Sequence, residues 1–329
     1  MSRLMLALAA LVALLFLVSL TTGPAGIGFV EGIRALILGG DGPLPIVMRE
    51  IRLPRALLGV GVGAALGLSG AALQGYLRNP LAEPGLIGVS GMAALGAVIA
   101  IQIGLSASLA LGLPLMALAG AALGVAVLMA LAGPRGGSVT LILAGIAISA
   151  LAGAGTQLVL NLSPNPYAAN EIVFWLMGSL ADRSMLHVAL ALPVMILGGL
   201  ILMRLGRGLD ALTLGESAAA AMGIAPGRLR WLLVAGVALM IGPATAVAGT
   251  IGFVGLVVPH LLRPLVGAQP SRLLPASALG GAAMVLAADI AVRLILPERD
   301  LKLGVLTALV GAPLFLHLIW KTRSRGGLG

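Results

Sequence analysis

The chain offers few side chains for chemistry, and their spacing excludes most reactions. Its three histidines, His187, His260 and His317, lie far apart and lack metal-ligand spacing. No acidic cluster is present that would hold a cation. With no cysteine, disulfides, thiolate metal sites and thiol catalysis are excluded. A serine does stand in Gly88-Val89-Ser90-Gly91, a setting that would suit the nucleophile of an intramembrane protease. Such a serine needs a histidine base on a neighbouring segment, and all three histidines fall at or near the ends of apolar runs. Ser90 therefore reads as a helix-start or loop residue. Lysine occurs only at 302 and 321, and no Gly-x4-Gly-Lys-Ser/Thr loop exists. The chain has no loop of its own to cradle ATP phosphates.

The remaining chemistry is electrostatic. Arg49, Arg52 and Arg55 follow one another at intervals of three, and Arg293 stands four residues after Asp289. Asp289 and Arg293 read as an i,i+4 ion pair. A proton relay through Asp289 would need further ionisable partners at membrane depth, and the sequence places none. A second group, Leu214-Gly215-Glu216 with Ala218 to Ala221, Met222 and Gly223, has a carboxylate in a first helical turn and a strong helix-forming run. A glycine able to close that helix in the left-handed conformation follows, then Pro226. The pattern predicts a compact two-helix knob. Its small side chains would admit the groove of another protein, though a plain amphipathic connector has the same composition.

The elements that carry these residues must be membrane helices. Sixty per cent of the 329 residues are hydrophobic and 9% are charged. The charges cluster between apolar runs of about 17–25 residues, the length that crosses a ~30 Å hydrocarbon core. An aromatic content of 3% argues against a transmembrane β-barrel. The 48 glycines and 19 prolines fall inside apolar runs, where they favour close helix packing and broken helices. We expect an all-α polytopic membrane protein forming a single transmembrane domain over 1–329. It has ten spans, at about 4–22, 54–76, 90–105, 114–133, 140–160, 186–205, 230–250, 252–267, 274–296 and 303–321. The first run could pass for a signal peptide but reads as a retained helix. An even number of spans puts both termini on one side. With the termini inside, the inner segments hold 12 of the 20 basic residues against Glu83, Asp210 and Glu216. The outer segments hold the other eight against seven acids, so both termini are expected in the cytoplasm. Outer loops are expected at about 23–53 and 161–185, with short helices near 29–38 and 172–177. The inner loop at about 206–229 holds the knob.

Several motifs fall in one order along the chain. They are Arg52-Leu53-Pro54-Arg55, Arg78-Asn79-Pro80-Leu81-Ala82-Glu83-Pro84-Gly85 running to Gly88-Val89-Ser90, and Gly215-Glu216-x5-Met222-Gly223. Then come Gly252-Phe253-Val254-Gly255 through Pro259-His260, Ala288-Asp289 with Arg293, and Gly311-Ala312-Pro313. Together they resemble the permease subunits of bacterial ABC importers for vitamin B12, ferric siderophores and haem. That resemblance implies a ten-span subunit of the bacterial inner membrane that pairs with a second copy around a central path. It implies two ATPase subunits inside, which would hold ATP and magnesium, and a substrate-binding protein outside. This chain would bind no cofactor, metal or nucleic acid of its own. The resemblance makes Leu214, Gly215, Glu216, Ala219, Ala220, Met222 and Gly223 the coupling segment. It makes Arg52, Arg55 and Arg293, with Arg49 beside them, the docking residues for carboxylates of the binding protein. It makes Asn79, Leu81, Ser138 and Val139 the cytoplasmic gate, although the family carries a Ser/Thr pair where this chain has Ser138-Val139. An ion-coupled secondary transporter with a broken-helix site is the runner-up reading, and the intramembrane serine protease is third.

Overall fold

The computed structural model describes residues 2–23, 26–133, 136–295 and 301–326. Helices dominate them: α1 Ser2–Thr21, α2 Phe29–Leu38, α3 Pro43–Ile46, α4 Leu53–Leu77, α5 Val89–Gln102, α6 Leu105–Ser108, α7 Gly112–Ala132 and α8 Ser138–Asn161. The second half adds α9 Pro166–Leu176, α10 Met185–Arg204, α11 Gly206–Leu212, α12 Glu216–Ala221, α13 Pro226–Ala248, α14 Val254–Leu262, α15 Pro270–Ile295 and α16 Leu303–Gly326. Ten of these occupy the ten expected apolar runs. Seven are long and apolar enough to cross a membrane alone, while Val89–Gln102, Val254–Val266 and Leu303–His317 are shorter apolar stretches. At 1.5 Å per residue, the 14 residues of α5 reach only about 21 Å. Non-helical segments before α5 and α14 supply the missing depth.

Helix α4 runs through the centre of the bundle and is buried over most of its length. Its glycines are the reason that it fits. A Cβ on Gly63 would stand 2.4 Å from the Gly281 carbonyl oxygen, and one on Gly67 would stand 2.0 Å from that of Ser277. On Gly70 it would stand 1.9 Å from the carbonyl oxygen of Gly255. Lipid tails are as apolar as leucine, so membrane helices associate by packing, and small residues let backbones touch. The same device joins α5 to α7 through Gly96 and Gly120. Helix α8 differs. It buries a single helical stripe, Leu141, Ala144, Gly145, Ile148 and Ala152, and leaves Leu143, Ile146, Leu151 and Leu158 exposed.

Polar contacts sort the helix ends into two faces. On one, Arg230 donates to the Gly133 carbonyl at 2.8 Å and so joins the start of α13 to the end of α7. There Arg263 donates to Gln74 Oε1 at 2.6 Å, and the Ser271 N–H donates to Asp210 at 2.8 Å. This is the knob face, because α11 and α12 lie on it. The opposite, arginine face gathers the end of α1, the start of α4 and the end of α15 through Arg52, Arg55 and Arg293. At the end of α13, the Ser179 N–H donates to the Ala248 carbonyl at 2.8 Å and Arg183 donates to that of Val247. Burial lowers the Arg183 pKa, and neighbouring Asp182 opposes that shift. The short helix expected at 29–38 is α2; the one expected near 172–177 starts earlier, since α9 begins at Pro166, capped by Asn165 accepting from the Tyr167 N–H.

Candidate functional site: a helical knob, a re-entrant segment and an arginine cluster

The knob forms as its sequence dictates. Thr213, Leu214 and Gly215 turn the chain between α11 and α12, with Gly215 at φ 106°. Glu216 opens α12, and Gly223 closes the segment at φ 83°. Pro226 sits in the first turn of α13, where its missing N–H costs nothing. Ala219 is fully buried against the rest of the knob. Leu214 and Met222 are 69% and 63% exposed, and Glu216, Ala220, Ala221 and Gly223 are exposed with them. Two large apolar side chains held in the open beside a run of alanines make a surface suited to another protein.

The gate residues lie on the same face. Asn79 Oδ1 accepts from the Leu81 N–H at 2.9 Å, which folds the chain after α4 into an Asx turn. Arg78 just before it is left-handed at φ 50°. Leu81 and Val139 are exposed, as is Asn79, and Ser138 is half-buried. Ser138 and Val139 begin α8, while Pro134 and Arg135 of the preceding turn lie outside the described residues. Beyond Leu81 the chain turns back into the bundle. The Gly85 carbonyl accepts from Ser149 at 3.2 Å, and a Cβ on Gly145 would meet the Leu86 carbonyl oxygen at 2.0 Å. Both α8 partners are near that helix's midpoint. Glu83, expected in the inner loop, is thus carried to mid-depth, which composition could not reveal.

The arginines expected to dock are held from within the bundle. Arg52 is only 4% exposed, and its Nη1 donates to the carbonyls of Leu20 and Thr21 at 2.9 Å each. Arg55 grips Asp289, with Nε–Oδ1 at 2.9 Å and Nη2–Oδ1 at 2.8 Å. Arg293 donates to Asp289 Oδ2 at 2.7 Å, to the Ser19 and Thr22 carbonyls at 2.9 Å and to Ser19 Oγ at 2.6 Å. The Arg49 Nε donates to the Leu36 carbonyl at 3.0 Å and so ties α2 to the π-helical turn Val47–Arg52. Terminal carbonyls of α1 and a buried carboxylate are partners close at hand; they take up the Arg52 Nη1 and the Arg55 Nε and Nη2, and the Arg55 side chain stays 18% exposed. The i,i+4 pair Asp289–Arg293 is present, enlarged to a triad by Arg55. Sequence reasoning missed that third member because it comes from 234 residues away.

Comparison with known proteins gives the site its setting. The family model described as the FecCD transport family matches residues 11–321. The chain belongs to the FecCD transport family. An uncharacterized ABC transporter permease, YvrB of Bacillus subtilis, is 40% identical over 88% of this chain and 83% of its own length. The cobalamin import system permease BtuC of Halobacterium salinarum is 41% identical over 83% of this chain and 73% of its own. The hemin transport system permease HmuU of Yersinia pestis is 42% identical over 84% of each. A solved chain described as an inward-facing metal-chelate type ABC transporter superposes with a TM-score of 0.86 at 33% identity, covering 98% of this chain and all of its own. This FecCD-family chain is a polytopic transport permease that works with ATPase and substrate-binding partners, and ATP hydrolysis belongs to separate subunits.

Proposed function

We propose that the chain is the permease of an ATP-driven importer that carries a metal chelate, namely a ferric siderophore, haem or cobalamin, across the bacterial inner membrane. The exposed knob of α11 and α12 supports this reading most directly, in a chain similar to permeases named for cobalamin and hemin import. The knob face is the cytoplasmic one, with both termini on it. Leu214, Glu216, Ala220 and Met222 enter a groove on the ATPase, which holds ATP and magnesium. Two copies of the chain face one another, and the free apolar side of α8 is suited to that contact. Closure of the ATPases moves the knobs, and the pair rocks so that its central path opens to one face at a time. Asn79, Leu81, Ser138 and Val139 narrow the path on the knob face. A substrate-binding protein docks on the arginine face, where Arg52, Arg55 and Arg293, with Arg49 beside them, meet its carboxylates.

Co-expression with the ATPase tests the reading. The two should purify as a two-plus-two complex, and the permease alone should hydrolyse no ATP. Proteoliposomes holding the complex, supplied with the binding protein, should take up one of the three chelate classes only with ATP. Proton-driven uptake by vesicles containing the permease alone would instead favour a secondary transporter.

A further inference from the structure

Two broken segments meet beside the middle of α4. One is the re-entrant run Glu83-Pro84-Gly85. The other is Gly249 to Phe253, where the chain leaves α13 and starts again as α14. They enclose a cavity of about 200 Å³ whose lining includes Glu83, Ser90, Thr245, Thr250 and Gly252. Pockets for drug-sized ligands run to roughly 300–1,000 Å³, so a metal chelate does not fit. A dehydrated ion with a few waters does, at about 30 Å³ per water.

The polar side chains that line this chamber, Glu83, Ser90, Thr245 and Thr250, all end in oxygen, and they stand among apolar neighbours that include Val62, Leu66, Ile241 and Ile251. Among the described residues, Glu83 forms no ion pair, and the backbone N–H of Phe253 donates to its carboxylate. Thr245 is 4% exposed, and among the described residues neither its hydroxyl nor that of Ser90 is engaged by a hydrogen bond. Among the described residues no backbone hydrogen bond reaches the carbonyls of Gly249 or Ile251, whereas that of Gly252 accepts from the Val254 N–H at 2.9 Å. A carboxylate at membrane depth is costly without a cation, and backbone unwound there must be satisfied by a neighbour, water or an ion. No group of three His, Cys, Asp or Glu side chains gathers here among the described residues, which disfavours a transition metal. One carboxylate, hydroxyls and freed carbonyls at a broken helix are the chemistry that takes a hard monovalent cation.

We propose that this chamber binds a sodium ion, held by the Glu83 carboxylate with the hydroxyls of Ser90 and Thr245 and carbonyls of the Gly249–Gly252 segment. The ion neutralises Glu83 and ties the two broken segments to each other. Phe253 closes the chamber on one side. It lines both this cavity and a larger, mostly apolar groove of about 670 Å³ along α16. Its backbone is left-handed at φ 67°, a strained conformation for an aromatic residue. Its side chain fills the niche opposite Gly311, where a Cβ would stand 2.3 Å from the Phe253 Cβ.

Binding of radiolabelled sodium to the permease–ATPase complex in nanodiscs tests the proposal without any transport measurement. The experiment runs at alkaline pH and constant ionic strength, with choline as the balancing cation. Saturable binding of one ion per permease chain is expected. Glu83→Gln should weaken it at least tenfold, and Thr245→Val and Ser90→Ala should each weaken it several-fold. Absence of saturable binding overturns the proposal, as does binding that Glu83→Gln leaves unchanged. A carboxylic-acid infrared band that Glu83→Gln removes and sodium does not would show that a proton takes the place, and would also overturn it. Should Glu83→Gln fail to assemble, the two hydroxyl variants decide, because both keep the carboxylate. Sodium affinity unchanged in both refutes the site.

Discussion

Asp289→Asn is the most informative single change in this chain. Asp289 is 1% exposed and accepts from Arg55 at 2.8–3.1 Å and from Arg293 at 2.7 Å. Asparagine keeps the shape, but it loses the charge and turns an amide donor towards a guanidinium. The cluster's net charge rises from +1 to +2, with two cations facing one another where water is scarce. Removing one partner of a buried ion pair costs about 3–5 kcal/mol, or roughly two to four decades in an unfolding equilibrium at 1.4 kcal/mol per decade. The assay is reversible unfolding of the permease in mixed detergent micelles, followed by helix content. A second variant isolates the mechanism. Arg55→Met together with Asp289→Asn returns the cluster to +1 and leaves Arg293 its carbonyl partners on α1, so more than half of the lost stability should return. Asp289→Asn within about 0.5 kcal/mol of the parent, the range of an ordinary surface substitution, would refute the reasoning. The triad would then be no more than a solvated surface pair.

Arg55→Glu should lower stability in the same assay, because it places two carboxylates together, and should also slow association with the binding protein. Gly67→Ala should prevent stable expression or cost at least ~3 kcal/mol, because its Cβ would overlap the Ser277 carbonyl oxygen; Gly153→Ala, with nothing within 4 Å of its Cβ, should be neutral by thermal melting. Ala220→Trp should abolish stimulation of the ATPase while the purified permease melts normally. Ala219→Trp should lower the melting temperature as well, since Ala219 is buried inside the knob.

The ten helices were legible in the sequence because a membrane span is a matter of length and charge, and both can be read locally. The knob was legible for a similar reason, since Gly215, Gly223 and Pro226 act within a turn of their own positions. The fate of the arginines was not. Arg52 and Arg293 find their partners on α1, 31 to 274 residues away, and no spacing rule reports such a pairing. A cluster of arginines on one face signals a reason for them, and part of that reason is internal. Glu83 was misjudged because charge counting assigns a loop residue to a side of the membrane, whereas the loop after α4 turns back to the middle of the bundle. Its Pro84 and Gly85 were the available signal, as breakers inside an otherwise apolar stretch. Gln74 carried a similar one: a lone amide in an apolar run, it proves to bridge α14 and Arg263.

The contacts that fasten α1 also set an order for biosynthesis. Its far end is held by Arg52 and then by Arg293, which donates to Thr22 across 271 residues of chain. At about 5–20 residues per second, roughly 15–55 s separate the synthesis of those two residues. Arg52 arrives early and can engage the first helix while the ribosome is still translating. Arg293 emerges only with the ninth span and brings Asp289 with it. The first helix therefore waits in the bilayer half-fastened for most of translation, and its second clasp closes among the last events of assembly. A nascent chain stalled before the ninth span would leave Arg55 without its carboxylate and Ser19 and Thr22 without their guanidinium. Such a chain would be marked as unfinished to any membrane protease that samples loose helix ends.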